Sequence, residues 1–262
     1  MSYVPLGRLA ARWLGMLIAL LAVMGLVAWV VLLTRLTVPP KQALAGGRAM
    51  LEHRRVLAVV AHPDDADWWI AGTLRRFVEE GAEVMLVVAS NGEKGPNRNG
   101  AQNLAEARKE EQRAAQQVIG YQRLLFLEMP DREVVKQPDF ASRIHEIARE
   151  FKPTLLITFD PRHPELPYLH PDHEGVGRVV REWWMREGEG VAIAFFHSRR
   201  PNAAVDITDV YEWKREALQQ HKTQGLGGAS SFNRAAHARN GRRVGVPLAE
   251  LFRFVEGDRQ GG

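Results

Sequence analysis

Between residues 55 and 196, short apolar runs rich in β-branched residues alternate with longer stretches of helical periodicity. The runs at 56–60, 84–89, 124–127, 155–159 and 191–196 have strand length, and their near-continuous apolarity suits strands covered on both faces. The stretches between them, 68–80, 101–120, 139–151 and 174–186, space their apolar residues as amphipathic helices do. Consecutive parallel strands need long crossover connections, and a helix in each gap supplies them. The pattern therefore predicts an α/β fold with a mostly parallel sheet flanked by helices. In such a sheet, ligands bind outside the carboxyl ends of the strands, so the residues directly after each strand are the informative ones.

Ahead of this pattern lies WLGMLIALLAVMGLVAWVVLLT, residues 13–34, with no charged side chain. At 1.5 Å per residue it matches the roughly 30 Å hydrocarbon core of a bilayer. It also exceeds the ~7–15-residue apolar region of a cleaved signal peptide. The expectation is one transmembrane helix within a membrane anchor over 1–37, a juxtamembrane linker over 38–54, where Pro, Gly and Ala mix, and a catalytic domain over 55–262. The location expected from this is a single-pass membrane protein. Arg8 and Arg12 precede the stretch and Arg35 and Lys41 follow it, so the positive-inside rule leaves the side of the membrane open. The net charge is +4, and acidic and basic residues are interleaved along the domain rather than gathered into a basic stripe, which argues against nucleic acid, while Arg8, Arg12, Arg35, Lys41, Arg48, Arg54 and Arg55 cluster around the apolar segment and suit an anionic membrane surface. Cysteine is absent, so any metal must be held by His and carboxylates.

Two clusters of such groups follow expected strands. After the first comes Ala61-His62-Pro63-Asp64-Asp65-Ala66-Asp67, and after the fourth come Asp160-Pro161-Arg162-His163 and then His170-Pro171-Asp172-His173. Helix capping accounts for one Asp of the first cluster but leaves His62 and a second acid without a task. Because both clusters end strands of one sheet, their side chains can converge, and three N/O ligands with a fourth position open make a catalytic zinc site.

AHPDD after the first strand, SNGEKG at 90–95, Arg108 and Glu111 in AEARKEEQRAA, HPDH after the fourth strand and KREALQQHKTQ at 214–224 together resemble the PIG-L/LmbE-like N-acetylglucosamine deacetylase superfamily. The resemblance runs in order from about residue 55 to 255. It implies a Rossmann-like sheet, one Zn2+ per chain (or another divalent metal) and metal-dependent hydrolysis of the acetamide of an N-acetylglucosamine-containing glycoconjugate. Carried onto this sequence, it makes His62, Asp65 and His173 the metal ligands and Asp64 the general base. His170 then stabilises the oxyanion or protonates the leaving amine, and Asp172 orients His170. Asn91, Arg108 and Asp131 are expected at the substrate, and His221 in a structural or pocket-lining role. The family's AHPDDE reads AHPDDA here, with Asp67 supplying an acid one place later.

The partners expected are an N-acetylated sugar or glycolipid and the membrane, without nucleic acid. With an anchor holding the site near a bilayer, a lipid-linked sugar is the expected substrate. A catalytically silent, membrane-tethered glycan-binding module of the same fold is the alternative. A nucleotide-binding Rossmann domain is disfavoured, because AHPDDAD stands where a glycine-rich phosphate loop would be needed.

Overall fold

The computed structural model describes residues 6–33, 35–166 and 170–257. The chain separates into two compact units, one up to Arg35 and one from Leu36 on. The first unit contains helix α1 (Leu6–Leu33). Among the described residues no helix is long and apolar enough to cross a membrane, which overturns the expected transmembrane helix and single-pass location. Residues 1–5 and Thr34 of the expected anchor lie outside the described residues.

The second unit opens with a difference from the expected linker: residues 40–51 form helix α2 (Pro40–Leu51), begun by prolines that suit a helix start. The unit then runs β1 (Arg55–Val60), α3 (Asp65–Trp69), α4 (Ala71–Glu79), β2 (Glu83–Ser90), α5 (Leu104–Ile119), β3 (Arg123–Met129), α6 (Phe140–Phe151), β4 (Leu155–Phe159) and α7 (Pro171–Glu187). It closes with β5 (Ala192–Phe196), β6 (Ala203–Asp206), α8 (Tyr211–Gln220), α9 (Ser230–Val244) and β7 (Ala249–Val255).

The seven strands form one sheet in the order β3-β2-β1-β4-β5-β7-β6. The first five are parallel, with Val56 opposite both Val84 and Leu155. β7 runs antiparallel to β5 and β6 antiparallel to β7, so the sheet is mixed at one end. The central strands are buried along almost their whole length, as strands covered by helices on both faces must be. The chain leaves β1 outward through β2 and β3, then returns to place β4 on the other flank of β1. The strand order reverses between β1 and β4, which opens a crevice at their carboxyl ends.

Candidate active site

Both sequence clusters end at that crevice, His62 two residues past β1 and His170 to His173 at the start of α7 after β4. The His62 ring is buried and divides its two nitrogens between two sets of partners. Nε2 faces Asp131 Oδ1 at 3.2 Å and Asp172 Oδ2 at 3.4 Å. Nδ1 faces His173 Nε2 at 3.3 Å and Asp65 Oδ2 at 3.5 Å, and His173 Nε2 lies 3.2 Å from Asp65 Oδ1. Asp65 is fixed by the amides of Ala61 and His62, which donate to its Oδ2 at 3.1 and 2.8 Å. Phe159, the last residue of β4, stacks on His173 with ring centroids 4.0 Å apart.

The electrostatics follow from this crowding. Burial pulls His62 down, but hydrogen bonds to Asp131, Asp172 and Asp65 hold it well above its ordinary value. Burial likewise pushes Asp131 up, but the bond to His62 overrides it and brings the carboxyl down to about 2. Several carboxylates thus surround one imidazole, a cluster that favours a cation among them.

Beside them, Asp64 sits in a left-handed conformation at φ 109°, a backbone state that costs of order 1–3 kcal/mol unless its surroundings enforce it. Three side chains do so. Gln112 Oε1 accepts the Asp64 amide at 2.9 Å, while Arg108 Nη2 and Gln224 Nε2 donate to Asp64 Oδ2 at 3.3 and 3.2 Å. Both also donate to the Pro63 carbonyl, at 3.0 and 3.1 Å. Burial pushes the Asp64 carboxyl up to about 6, with the Arg108 guanidinium opposing. Behind this turn, Gln112 Nε2 donates to Asp67 Oδ2 at 2.7 Å, and His221 Nε2 meets the same oxygen at 2.9 Å. Asp67, Gln112 and His221 are fully buried. The acid that stands one place late in the AHPDD motif therefore points away from the cluster and braces Asp64 from behind.

The remaining expected residues are placed as follows. His170 caps α7, its Nδ1 accepting the amide of Asp172 at 3.3 Å, which leaves the proton on Nε2. Its ring lies 4.8 Å from those of His62 and His173, and burial with those neighbouring charges lowers its pKa. The Asp172 carboxylate faces His62, with Oδ2 also accepting the Arg132 amide at 2.7 Å, rather than orienting His170. Arg108, expected at the substrate, is 4 % exposed and ties the Gly92 carbonyl to the Pro63-Asp64 turn. Gly92 is required there: φ is +63°, and a Cβ would meet the guanidinium at 2.3 Å. Asp131 sits against His62, held by the Lys94 amide at 3.0 Å. Asn91 is half-buried at the end of β2, and its Oδ1 has no hydrogen-bond partner among the described residues.

The donor set was tested against zinc on its own geometry. Tetrahedral ligands at about 2.0–2.2 Å from a metal stand about 3.3–3.5 Å from one another. His62 Nδ1 and His173 Nε2 stand 3.3 Å apart, and Asp65 meets them through different oxygens, Oδ1 at 3.2 Å from His173 and Oδ2 at 3.5 Å from His62, spacings that donors to one small cation adopt. The groups found among the described residues with one donor atom from each member all within 4.8 Å are His62-His170-His173 and His62-Asp131-Asp172, which share His62 and do not include Asp65.

Sequence reasoning missed Gln112 and Gln224. For Gln112 a signal existed: the buried face of α5, read backward from Ile119 and Ala115, falls on Gln112 and Arg108. It also missed Trp68 and Trp69, which line a cavity of about 390 Å³ with Asp64, Asp65 and His173.

Comparison with known proteins identifies the family. Residues 57–184, which carry both clusters, match the family GlcNAc-PI de-N-acetylase, PIG-L. The chain is 30% identical over 188 residues to a probable N-acetyl-alpha-D-glucosaminyl L-malate deacetylase 2 of Bacillus cereus, covering 65% of this chain and 84% of that protein. It is 26% identical over 227 residues to the diacetylchitobiose deacetylase of Thermococcus kodakarensis, covering 78% and 84%. The fold is shared with N,N'-diacetylchitobiose deacetylase from Pyrococcus horikoshii at a TM-score of 0.73 and 24% identity, over 83% of this chain and 89% of that one. The sheet reverses where the two matched motifs meet, and with relatives aligned across most of their own length, the chain belongs to the PIG-L, GlcNAc-PI de-N-acetylase family.

Proposed function

We propose that this chain removes the acetyl group from an N-acetylglucosamine-type glycoconjugate, with His62, Asp65 and His173 as metal ligands, Asp64 as general base and His170 as hydrogen-bond donor to the oxyanion. Membership of the family makes it a hydrolytic N-deacetylase. That sets aside the silent glycan-binding module. The observation that carries the reading is the placement of a half-buried carboxyl, Asp64, directly beside the His62-Asp65-His173 donor set on the wall of one cavity.

His62, Asp65 and His173 would hold a zinc ion, which would supply polarisation of the amide carbonyl and acidification of water. The remaining work falls to the chain. Asp64, brought to about 6 by burial, is matched to accepting a proton near neutral pH, and Arg108 and Gln224 fix the direction of its carboxylate. His62 is held in one tautomer, because Asp131 and Asp172 take the Nε2 proton and leave the Nδ1 lone pair for the metal. His170, with Nδ1 occupied, presents an Nε2–H that can stabilise the oxyanion by hydrogen bonding, while the proton Asp64 takes from water is the one available to the leaving amine. Asn91 and Asp131 were expected at the sugar. The unpartnered Asn91 Oδ1 is buried and Asp131 is committed to His62. The lipid-linked substrate rested on the membrane anchor and loses its support with it.

The test is mass spectrometry of N-acetylglucosamine and N,N'-diacetylchitobiose incubated with the purified chain, with metal content measured in parallel. One acetyl group should be lost, a chelator should stop the loss and zinc should restore it. His173→Ala should lose metal and turnover together. A zinc-loaded chain that releases no acetate from either sugar, or activity indifferent to chelation, would overturn the proposal.

A further inference from the structure

Where asparagine precedes glycine, the next backbone amide can attack the asparagine side chain, because glycine has no Cβ to hinder the approach. The chain has three such pairs, Asn91-Gly92, Asn99-Gly100 and Asn240-Gly241, and the fold treats them differently. Gly92 is buried, its amide donates to Ser90 Oγ at 3.0 Å, and its carbonyl is bound by Arg108. Gly241 is buried inside α9, where amides are engaged in the helical ladder, and its carbonyl accepts the amides of Gly245 and Val246 at 2.8 and 3.1 Å. Asn99 and Gly100 are both exposed. They form the tip of a loop closed at its base by Asn97, which accepts the Ala101 amide through Oδ1 and donates to the Ala101 carbonyl through Nδ2, both at 2.8 Å. Those two bonds are themselves open to solvent, so the tip opens at little cost.

The loop has a task. The Arg98 amide donates to the Thr223 carbonyl at 2.8 Å, and the Arg98 side chain lies so close to Gly225 that a Cβ there would stand 2.7 Å from its Cδ. The Thr223 amide and hydroxyl each donate to Glu111 at 2.7 Å, and Gln224 donates to Asp64 Oδ2 at 3.2 Å and to the Pro63 carbonyl at 3.1 Å. The residue beside Asn99 therefore clamps the segment that holds the proposed base.

We propose that Asn99 is a modification site, deamidated spontaneously through a succinimide, and that the change loosens the clamp on Thr223 and Gln224. In the first step the Gly100 nitrogen gives its proton to hydroxide and bonds to Asn99 Cγ. The bond from Cγ to the side-chain nitrogen breaks, and that nitrogen takes up a proton and leaves as ammonia. Water then opens the five-membered ring at one of its two carbonyls, giving aspartate or isoaspartate, with nothing oxidised or reduced. Either product places a negative charge beside Arg98, and isoaspartate also lengthens the main chain by one methylene. The expected loss of turnover rests on the deacetylase reading above; the modification itself does not.

The purified full chain is held in warm, mildly alkaline buffer and sampled over days, beside Asn99→Ser. Peptide mass spectrometry should find residue 99 heavier by the difference between an amide and an acid, with part of it labelled by an isoaspartyl methyltransferase. Asn91 and Asn240 should remain asparagine, and conversion should quicken as hydroxide rises. The Thr223 amide should exchange its hydrogen faster after conversion, a measurement that needs no turnover. Acetate release should decline in step with conversion and hold steady in Asn99→Ser. An Asn99 that stays intact, or is converted no sooner than Asn91 and Asn240, overturns the site. Conversion that leaves Thr223 exchange and acetate release as they were overturns the loosening. If the fresh chain releases no acetate, the deacetylase reading fails, while mass and exchange still decide the proposal.

Discussion

Substituting Met for Lys214 removes a charge from a fully buried ion pair of the second unit without opening a cavity, since the two side chains are close in volume. The Lys214 ammonium lies 2.8 Å from Glu250 Oε1, with side chains 0% and 1% exposed. The Glu250 carboxylate also accepts the amides of Gly72 and Thr73 at 3.1 and 2.7 Å, where α4 begins. Burial alone would push Glu250 up, but Lys214 brings it below its ordinary value, so it is held as an anion. In Lys214→Met that anion stays buried without its counter-charge, a situation that costs 3–5 kcal/mol in proteins generally. The two amides and the positive end of α4 still stabilise the carboxylate, which places the cost at the lower end, about 3 kcal/mol. For a unit of this size that corresponds to a fall in Tm of about 6–12 °C. The assay is denaturant unfolding followed by circular dichroism, with an unchanged m-value showing that only stability moved. The double variant Lys214→Met/Glu250→Gln removes the charge and keeps an oxygen acceptor for one of the two amides, and should recover part of the loss. A single variant that costs less than about 1 kcal/mol, or a double variant no more stable than the single one, would refute this account of the buried pair.

Asp64→Asn should keep its metal and fold while turnover falls by roughly 10²–10⁴-fold, as for loss of a general base; metal content and kcat together decide it. Gln112→Leu should lower kcat more than it changes KM, because it frees the amide that holds Asp64 at φ 109°; steady-state kinetics beside a melting curve would show an equal loss in both if the effect is only unfolding. His237 is pushed down to about 4 by burial and by the charge of Lys214. Between pH 4 and 6.5 the unfolded chain binds a proton that the native one does not, so stability falls as pH drops through that window, by up to ~3 kcal/mol. In His237→Gln the slope of stability against pH should flatten there; an unchanged slope would exclude His237 as its source.

The parallel half of the fold was readable because its strands are covered on both faces: continuous runs such as LLITF at 155–159 have no other home, and β4 spans those residues. The antiparallel end was not. β6 is four residues of AAVD, too short to show a period, and α9 carries Asn, Gly and Arg around its whole circumference. β7 does alternate, buried at Phe252 and Phe254 with Leu251 and Arg253 half-exposed between them, a signal that went unread. At the site, residues that follow strands were identified because position and chemistry coincide there. The direction in which side chains point was not legible: Arg108 turned inward under Asp64, and Asp131 turned toward His62. Those orientations depend on loops whose backbone course, including the left-handed turns at Asp64 and Gly92, has no local signature beyond the glycine.

Helix α2 has a consequence for how the molecule behaves in company. β6 ends the sheet, and a terminal strand carries backbone donors and acceptors that a neighbouring molecule can pair with. α2 lies against it so closely that a Cβ on Gly47 would stand 1.9 Å from the Ala204 carbonyl oxygen, and the Thr37 amide bonds the Pro201 carbonyl at 2.9 Å just ahead of the strand. The segment is thus a guard on an adhesive margin, and the contact tolerates no side chain at position 47. A bulkier residue there would displace the guard without touching the catalytic crevice, and the molecules would begin to associate through their uncovered margins, at a rate that climbs with concentration.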